Sequence, residues 1–152
     1  MVGAYSLGKL IGRGAMGEIY IAYHQTTKEQ AAVKLLMLDH TERETSIARF
    51  YREGAQLTKL HSPHIVRVFE YGDLDGVQPY IIMEFLRGRD LASILRDSPK
   101  MRFMEVVEMV ADIAKGLEVA HSAGVGHRDL KPQNIFRCDG DHHWKILDFG
   151  VC

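Results

Sequence analysis

The chain has 152 residues, of which 46% are hydrophobic and 26% are charged, and its formal net charge is −1. This balance is that of an ordinary globular domain, and it excludes the basic surface that nucleic-acid or membrane binding would need. The length predicts one domain or part of one, the two cysteines fit a reducing compartment, and no segment reads as a signal peptide or bilayer span, so we expect a cytoplasmic protein.

The first half of the chain predicts a five-stranded sheet and one helix. Alternating apolar and polar positions rich in β-branched and aromatic side chains are typical of strands. They occur at residues 5–11, 18–23, 30–36, 65–69 and 78–83. A helical period takes over at about residues 42–60 and ends at Ser62 and Pro63, and a glycine-containing hairpin loop at residues 72–76 joins the last two strands.

The second half predicts mainly helices. Asp90 is a good N-cap for a short helix at residues 91–96, and a long helix covers residues 102–123. The apolar positions of this long helix span an arc of ~160°, wider than the stripe of a one-sided surface helix. Two interpretations follow: a well-buried helix, or a face that binds a partner outside this chain. Short strands are predicted near residues 134–136 and 144–147.

Three glycines between the first two strands form a G-x-G-x-x-G pattern at Gly12, Gly14 and Gly17. In dinucleotide-binding folds this pattern opens a helix, whereas here a strand follows it. The order favours a β-turn-β loop that covers phosphates, because a backbone without Cβ atoms can approach them closely. A flexible hairpin without a ligand is the alternative.

A lysine and a glutamate follow this loop in positions that suggest a pair. Lys34 and Ala32 are two residues apart on a strand and therefore point to the same side. Glu53 shares a helical face with Phe50 and Leu57, and a carboxylate on a buried face is costly unless it is paired. Lys34 is its natural partner. The alternatives are a strand-end lysine in solvent and a glutamate that reaches solvent from the edge of the face.

A polar run with Asp129, Lys131 and Asn134 lies between apolar segments, followed by Asp148 after the last strand. A charged loop held between core segments is expensive, so it indicates function.

Four blocks in this order resemble the nucleotide and catalytic machinery of a protein kinase. They are G-x-G-x-x-G at residues 12–17, A-V-K at 32–34, H-R-D-L-K-P-Q-N at 127–134 and D-F-G at 148–150. The resemblance extends from about residue 5 to residue 151. Lys131, the segment 7–20 and the Arg52-Glu53 pair are similar to bacterial Hanks-type serine/threonine kinases.

The resemblance implies an α+β fold with a kinase N-lobe, made of a five-stranded antiparallel sheet plus one helix, and an incomplete, mainly helical C-lobe. The N-lobe and hinge would occupy residues 1–88, and the partial C-lobe residues 89–152. The implied activity is ATP-dependent phosphoryl transfer to Ser/Thr hydroxyls of a protein substrate, with ATP and Mg²⁺ as cofactors. A small-molecule kinase of similar fold is disfavoured by the full motif set with Lys131.

The resemblance also implies roles for the motif residues. Asp129 would accept the proton of the substrate hydroxyl, and Lys131 would neutralise the γ-phosphate. Lys34, held by Glu53, would contact the α- and β-phosphates. Asn134 and Asp148 would hold Mg²⁺, since hard cations prefer oxygen ligands. His127 and Phe149 would be packing residues that couple the metal loop to the helix bearing Glu53.

For the nucleotide, the resemblance implies Met83 as gatekeeper and a hinge at residues 84–86, in which Glu84 and Leu86 bind adenine through backbone groups. Asp90 would lie near the ribose. The residues implied around the base and the phosphates are Ile11, Gly12, Gly14, Gly17, Ile19, Ala32, Lys34 and Phe136.

Three departures from the family pattern stand out. Gly126 replaces a β-branched residue before His127, Phe136 is bulkier than the usual leucine, and no activation loop or docking segment follows Cys152. We therefore expect a fragment that is weak or inactive alone, with a catalytically incompetent Mg-ATP-binding module as the alternative and a membrane anchor in a longer parent left open. Arg128 would lack its phosphorylated partner.

Histidines and a cysteine near the end offer a further interpretation. Cys138, His142 and His143 contain metal-ligand types, but their spacing matches no standard zinc motif, so a hairpin loop is favoured. His61 and His64 flank a proline before a strand, resemble the family's H-x-N-I-V turn, and are interpreted as structural.

Overall fold

The computed structural model describes residues 1–14, 17–37, 43–140 and 142–149, without the side chains of residues 43–46 and 49. The chain divides into two compact units. The first contains Met1–Thr58 and Val68–Phe85, and the second contains Lys59–Arg67 and Leu86–Gly150.

The first unit is an antiparallel sheet with one helix, as predicted. Its elements are β1 (Tyr5–Gly14), β2 (Gly17–His24), β3 (Gln30–Leu36), α1 (Arg43–Leu57), β4 (Val68–Leu74) and β5 (Gln78–Glu84). The strand order is β1-β2-β3-β5-β4. The predicted fold class is confirmed by this sheet and helix.

The central strand β3 is buried on both faces. Ala31, Val33 and Leu35 alternate along one face and join a core with Tyr80 and Ile82 of β5. The intervening residues belong to the opposite face and are also buried. A strand that is covered on both faces holds its side chains in fixed directions. β3 is therefore a rigid support for the side chains on it.

Aromatic side chains attach α1 to the edge strand β4. The ring of Phe50, which is fully buried, lies 6.2 Å from the ring of Tyr71. A Cβ atom at Gly54 would lie 2.8 Å from the Tyr71 ring, so a glycine is needed for this close approach. The Tyr51 hydroxyl also donates to the carboxylate of Asp73. These contacts fix the rotation of α1 about its axis.

The second unit combines a small sheet with two helices. Its elements are β6 (Gly88–Asp90), α2 (Leu91–Asp97), α3 (Phe103–Ser122), a 3₁₀ turn (Pro132–Asn134), β7 (Ile135–Cys138) and β8 (Trp144–Ile146). The strands pair antiparallel in the order β6-β7-β8. Both helices were predicted, whereas no strand was predicted at the position of β6.

The predicted strand at residues 65–69 and the predicted loop at 72–76 are wrong in position. The amide of Val66 donates to the carbonyl of Ile146 over 2.8 Å, and Ile65 bridges to the same residue, so this apolar run pairs with β8 in the second unit. β4 begins only at Val68 and runs to Leu74. The turn follows at residues 75–77, with positive φ at its first two positions.

The long helix α3 buries a narrow face. Gly116 is buried, and a Cβ atom there would lie 2.8 Å from the carbonyl oxygen of His64. Val107 is 43% exposed and Val110 is 57% exposed, so the well-buried interpretation is wrong for this half of the helix. A partner for this face stays a prediction. None of the helices in the described part of the chain has the length and apolarity of a bilayer span.

Candidate active site

The glycine pattern lies in a hairpin between β1 and β2, not at the start of a helix. Gly12 pairs with Ile19, and Gly14 pairs with Gly17. Gly17 has φ +140°, and a Cβ atom there would lie 2.0 Å from the carbonyl oxygen of Leu35. Gly17 is therefore required by the chain's own backbone. Residues 15 and 16 lie outside the described residues.

Gly12 and Gly14 differ from Gly17 in this respect. A Cβ atom at Gly12 would come no closer than 3.7 Å to Ile19, and one at Gly14 would have nothing within 4 Å. Neither residue has a positive φ. Internal packing thus gives no reason for glycine at these two positions, although a ligand that approaches the backbone would.

Two residues that the motif analysis did not single out close this hairpin. Arg13 and Glu18 are cross-strand neighbours, and their charged groups lie 2.5 Å apart. The Tyr20 hydroxyl donates to the same carboxylate over 2.6 Å. Opposite charges immediately before Gly14 and immediately after Gly17 are the sequence signal for this pair.

Lys34 is buried on β3. Its side chain is 6% exposed, which contradicts the alternative of a strand-end lysine in solvent. Lys34 lies opposite Ile19 on β2 and Ile81 on β5, while Ala32 lies opposite Met83. The predicted pair of Lys34 with Glu53 stays a prediction.

Four further residues were predicted to contact the nucleotide, and three of them belong to the first unit. Ile11 on β1 is 48% exposed and Met83 is buried. Glu84 ends β5 and is half-buried. The hinge residue Leu86, also half-buried, belongs to the second unit.

In the second unit the predicted catalytic residues form one hydrogen-bonded loop. Nζ of Lys131 lies 2.5 Å from Oδ2 of Asp129. The side-chain amide of Asn134 donates to the carbonyl oxygen of Asp129 over 2.9 Å, and its backbone amide donates to the carbonyl of Lys131 over 2.8 Å. The three residues that the sequence placed in one polar run are therefore brought together.

This arrangement sets the charge of Asp129. The hydrogen bond from Lys131, followed by smaller contributions from its charge and from His127 and Asn134, lowers the pKa of the Asp129 carboxyl below its ordinary value. The carboxylate is ionised at neutral pH, as an aspartate with an ordinary pKa also is, and it can accept a hydrogen bond or a proton from a hydroxyl group.

The two predicted metal ligands lie on paired segments. The amide of Leu147 donates to the carbonyl oxygen of Asn134 over 2.9 Å, which places the neighbouring Asp148 beside the loop. Because the side-chain nitrogen of Asn134 bonds to Asp129, its oxygen Oδ1 is the atom that can ligate a cation. One carboxylate and one amide oxygen fit Mg²⁺, which commonly takes one or two carboxylates plus phosphates and water.

His127 lies at the base of this loop. It is 4% exposed, and its ring centroid lies 4.9 Å from that of Phe149. Burial lowers the pKa of His127, with the charges of Asp148 and Asp129 acting in the opposite direction. In the described part of the chain its Nε2 atom has no hydrogen-bond partner. The neighbouring Gly126 is exposed, and a Cβ atom there would meet nothing within 4 Å.

Asp90 and Phe136 are neighbours across β6 and β7. Oδ1 of Asp90 accepts from the amide of Ser93 over 2.8 Å, which is the predicted N-cap of α2, and Oδ2 accepts from the Ser93 hydroxyl. Gly88 has φ +144°, and a Cβ atom there would lie 2.0 Å from the carbonyl of Arg137. The missed strand β6 therefore positions Asp90, and Gly88 was its sequence signal.

Comparison with known proteins identifies the family. The protein kinase domain model matches residues 5–152. The chain is 37% identical over 151 residues to the serine/threonine-protein kinase PknH of Mycobacterium bovis, covering 99% of this chain and 25% of that protein. A probable serine/threonine-protein kinase of Streptomyces coelicolor is 38% identical over 152 residues, covering 98% of this chain and 22% of that protein.

The solved structures agree. The kinase domain of PknI from Mycobacterium tuberculosis matches with a TM-score of 0.88 and 30% identity, covering 98% of this chain and 59% of that one. The chain spans about a quarter of the length of the curated relatives it matches. The motifs occur in the family's order, the fold matches, and the family model covers nearly the whole chain. The chain therefore belongs to the protein kinase family.

Proposed function

We propose that this chain is the nucleotide-binding and catalytic-loop part of a serine/threonine protein kinase, which transfers the γ-phosphoryl group of ATP to Ser or Thr hydroxyls of a protein. The observation that carries the proposal is the hydrogen-bonded set of Asp129, Lys131 and Asn134. The curated relatives, which are described as serine/threonine kinases, support it. Residues 1–88 would form the N-lobe and hinge, and residues 89–152 the start of the C-lobe.

In the proposed mechanism Asp129 orients the substrate hydroxyl and accepts its proton, because an ionised carboxylate is a hydrogen-bond acceptor and a general base. Lys131 places a positive charge beside it for the γ-phosphate. Asn134 and Asp148 would hold Mg²⁺, which supplies charge neutralisation on the phosphates when bound. Positioning and charge compensation are the main protein contributions to phosphoryl transfer.

The first unit would bind the phosphates of the nucleotide. Gly12 and Gly14 let phosphates approach the hairpin backbone, which accounts for two glycines that packing does not explain. Lys34 would contact the α- and β-phosphates, held by Glu53. The proposed base and ribose contacts are Ile11, Ile19, Ala32, Met83, Glu84, Leu86, Asp90 and Phe136.

A second candidate applies to the 152 residues by themselves: Mg-ATP binding without transfer. This candidate is favoured because the 152 residues match only 59% of the PknI kinase-domain chain. Binding and transfer must therefore be measured separately.

The first experiment is a thermal-shift titration of the chain with Mg-ATP, beside Lys34→Met. A ligand that binds only the folded state stabilises it by about 2.7 kcal/mol at a hundredfold excess over Kd. We expect a saturable shift in the parent, lost in Lys34→Met and kept in the matched control Lys100→Met, an exposed lysine. No shift in the parent would overturn the nucleotide-binding proposal.

Transfer is then assayed with labelled ATP and a generic protein substrate, beside Asp129→Asn. The kinase proposal predicts incorporation on Ser or Thr that Asp129→Asn abolishes while its Mg-ATP shift remains. Mg-ATP binding without any incorporation would select the second candidate. Incorporation that persists in Asp129→Asn would refute the role of Asp129.

A further inference from the structure

Two histidines and an aspartate of the second unit converge outside the catalytic loop. Nδ1 of His64 lies 3.6 Å from Oδ1 of Asp112, and Nδ1 of His143 lies 3.7 Å from Oδ2 of the same carboxylate. One potential ligand atom from each residue lies within 4.8 Å of the other two. The residues come from three separate segments: the stretch before β4, the middle of α3, and the residue before β8.

Backbone contacts fix these three segments against each other. Gly116 follows Asp112 by one helical turn and lets α3 approach the carbonyl of His64. The amide of Ile146 donates to that same carbonyl over 2.9 Å. The amide of Trp144 donates to Oδ2 of Asp112 over 3.2 Å and thereby orients the carboxylate. The main chain therefore holds the three side chains close together before any metal binds. Supporting contacts of this kind orient the ligands in metal sites.

We propose that His64, Asp112 and His143 bind a transition-metal dication of the Zn²⁺ class. Tetrahedral zinc with bonds of 2.0–2.2 Å places its ligand atoms about 3.3–3.6 Å apart. The two observed separations, 3.6 and 3.7 Å, involve different oxygens of the carboxylate, and one ligand atom from each residue lies within 4.8 Å of the other two. Side-chain rotations that shorten the longest separation by about 1 Å would therefore bring the three atoms around one ion. Two imidazoles with one carboxylate suit zinc and its neighbours, whereas magnesium prefers an oxygen set.

Burial differs among the three ligands in a way that suits metal uptake. The His64 and Asp112 side chains are 8% and 14% exposed, whereas that of His143 is 53% exposed. His64 and Asp112 form the buried side of the site. His143 lies on the exposed side, from which a metal ion and a water molecule as a further ligand can enter. This set also differs from the one considered in the sequence, because it excludes Cys138 and His142.

A proton and a lysine compete with the metal. Nδ1 of His64 lies 3.3 Å from the carbonyl oxygen of Trp144, and Nζ of Lys115 lies 3.5 Å from Oδ1 of Asp112. Metal binding would displace the imidazole proton and the lysine, which is 62% exposed and free to swing into water. In exchange the ion would cross-link three segments of the second unit and raise its melting temperature.

The test is a Zn²⁺ titration of the 152-residue chain in competition with a chromophoric chelator and with Mg²⁺ in excess. We expect one ion per chain, and weakening by about 100-fold or more in His143→Ala and in Asp112→Asn, because even residues that only orient ligands contribute 10–100-fold. Co²⁺ used as a spectroscopic probe should give visible bands of a nitrogen–oxygen site in the parent that His143→Ala lacks.

Two variants serve as matched controls. His142→Asn removes the adjacent exposed imidazole, and asparagine tolerates the φ of +56° at that position. Asp148→Asn removes a proposed Mg²⁺ ligand. Both should keep the parent's Zn²⁺ affinity. Absence of stoichiometric binding in the parent, equal affinity in His143→Ala, or loss in His142→Asn would each overturn the site. A metal-free melting temperature of His143→Ala equal to the parent's confirms that its fold is intact.

Discussion

Nζ of Lys131 lies 2.5 Å from Oδ2 of Asp129, and both side chains are partly exposed, at 44% and 38%. Ion pairs in contact with solvent contribute little to folding stability, because water screens them and ordering two side chains costs entropy. The consequence of this pair therefore lies in the pKa of Asp129 rather than in the fold. It holds the carboxylate next to a cation that can attract a phosphate.

Lys131→Met should raise the pKa of the Asp129 carboxyl toward its ordinary value of about 3.9, because the main cause of its lowering is the hydrogen bond from Lys131. The melting temperature should scarcely change. The carboxyl carbon of Asp129, followed by NMR through an acid titration, measures the effect directly and does not require activity. Lys100→Met, an exposed lysine elsewhere, should leave the Asp129 titration as in the parent. A pKa that stays low in Lys131→Met would assign the lowering to His127 and Asn134 instead.

Gly17→Ala should destabilise the chain by about 2–4 kcal/mol, since the new Cβ atom would meet the Leu35 carbonyl and the backbone has φ +140°. Gly14→Ala should stay within about 0.5 kcal/mol of the parent, because its Cβ atom would meet nothing. Urea unfolding of the three proteins measures both effects. Equal losses in the two variants would contradict the distinction between a glycine needed for packing and one that is not.

The same Gly14→Ala protein tests why glycine is present at that position. If phosphates approach this backbone, the added methyl group should weaken the Mg-ATP thermal shift although the free protein is as stable as before. An undiminished shift would mean that the phosphates do not come near Gly14.

The sequence predicts the five-stranded sheet well because each strand carries its own signal. β2, for example, contains Ile19, Tyr20, Ile21 and Tyr23, whose side chains are enriched in strands. The error at residues 65–69 has a different origin. Ile65 and Val66 have strand character, but Ile65 forms a β-bridge with Ile146, and the amide of Val66 donates to the carbonyl of Ile146, far away in the chain. The local sequence does not show whether this run pairs with Ile146 or with a strand of the five-stranded sheet.

The candidate site also has one part that the sequence predicts and another part that it does not predict. The spacing of Asp129, Lys131 and Asn134 keeps them in one short loop, so their proximity is predictable from the motif. β6 is three residues long and exists because β7 pairs with it. The approach of His64, Asp112 and His143 depends on how α3 packs against β8, which no spacing in the sequence encodes.

Asp90→Ala should cost about 1 kcal/mol of stability, because the amide of Ser93 at the start of α2 loses its side-chain acceptor. Asp90→Ser keeps a capping oxygen and should cost only a few tenths of that amount. Both variants lack the carboxylate proposed to lie near the ribose, so both should weaken the Mg-ATP shift. Chemical unfolding and the Mg-ATP titration together separate capping from binding. A normal Mg-ATP shift in Asp90→Ser would remove the ribose role and leave only the cap.

His127→Phe should make the stability of the chain less sensitive to acid. Burial lowers the pKa of His127 in the folded state, below the value of about 6.5 that it has when unfolded. Its contribution is therefore fully present above about pH 6.5 and is lost as the pH falls through the folded-state pKa. Phenylalanine preserves an aromatic ring against Phe149 and does not titrate, so the free energy of unfolding should fall less steeply from about pH 7 to pH 5.

The chain has eight histidines, so the slope of the variant is compared with that of the parent and with that of His121→Ala. His121 is exposed at the end of α3, and its removal should leave the parent's slope unchanged. An equal slope in His127→Phe and the parent would mean that protonation of the buried imidazole costs the fold nothing. The structural roles of His127 would then be the ring contact with Phe149 and the hydrogen bond that its Nδ1 accepts from the amide of Asp129.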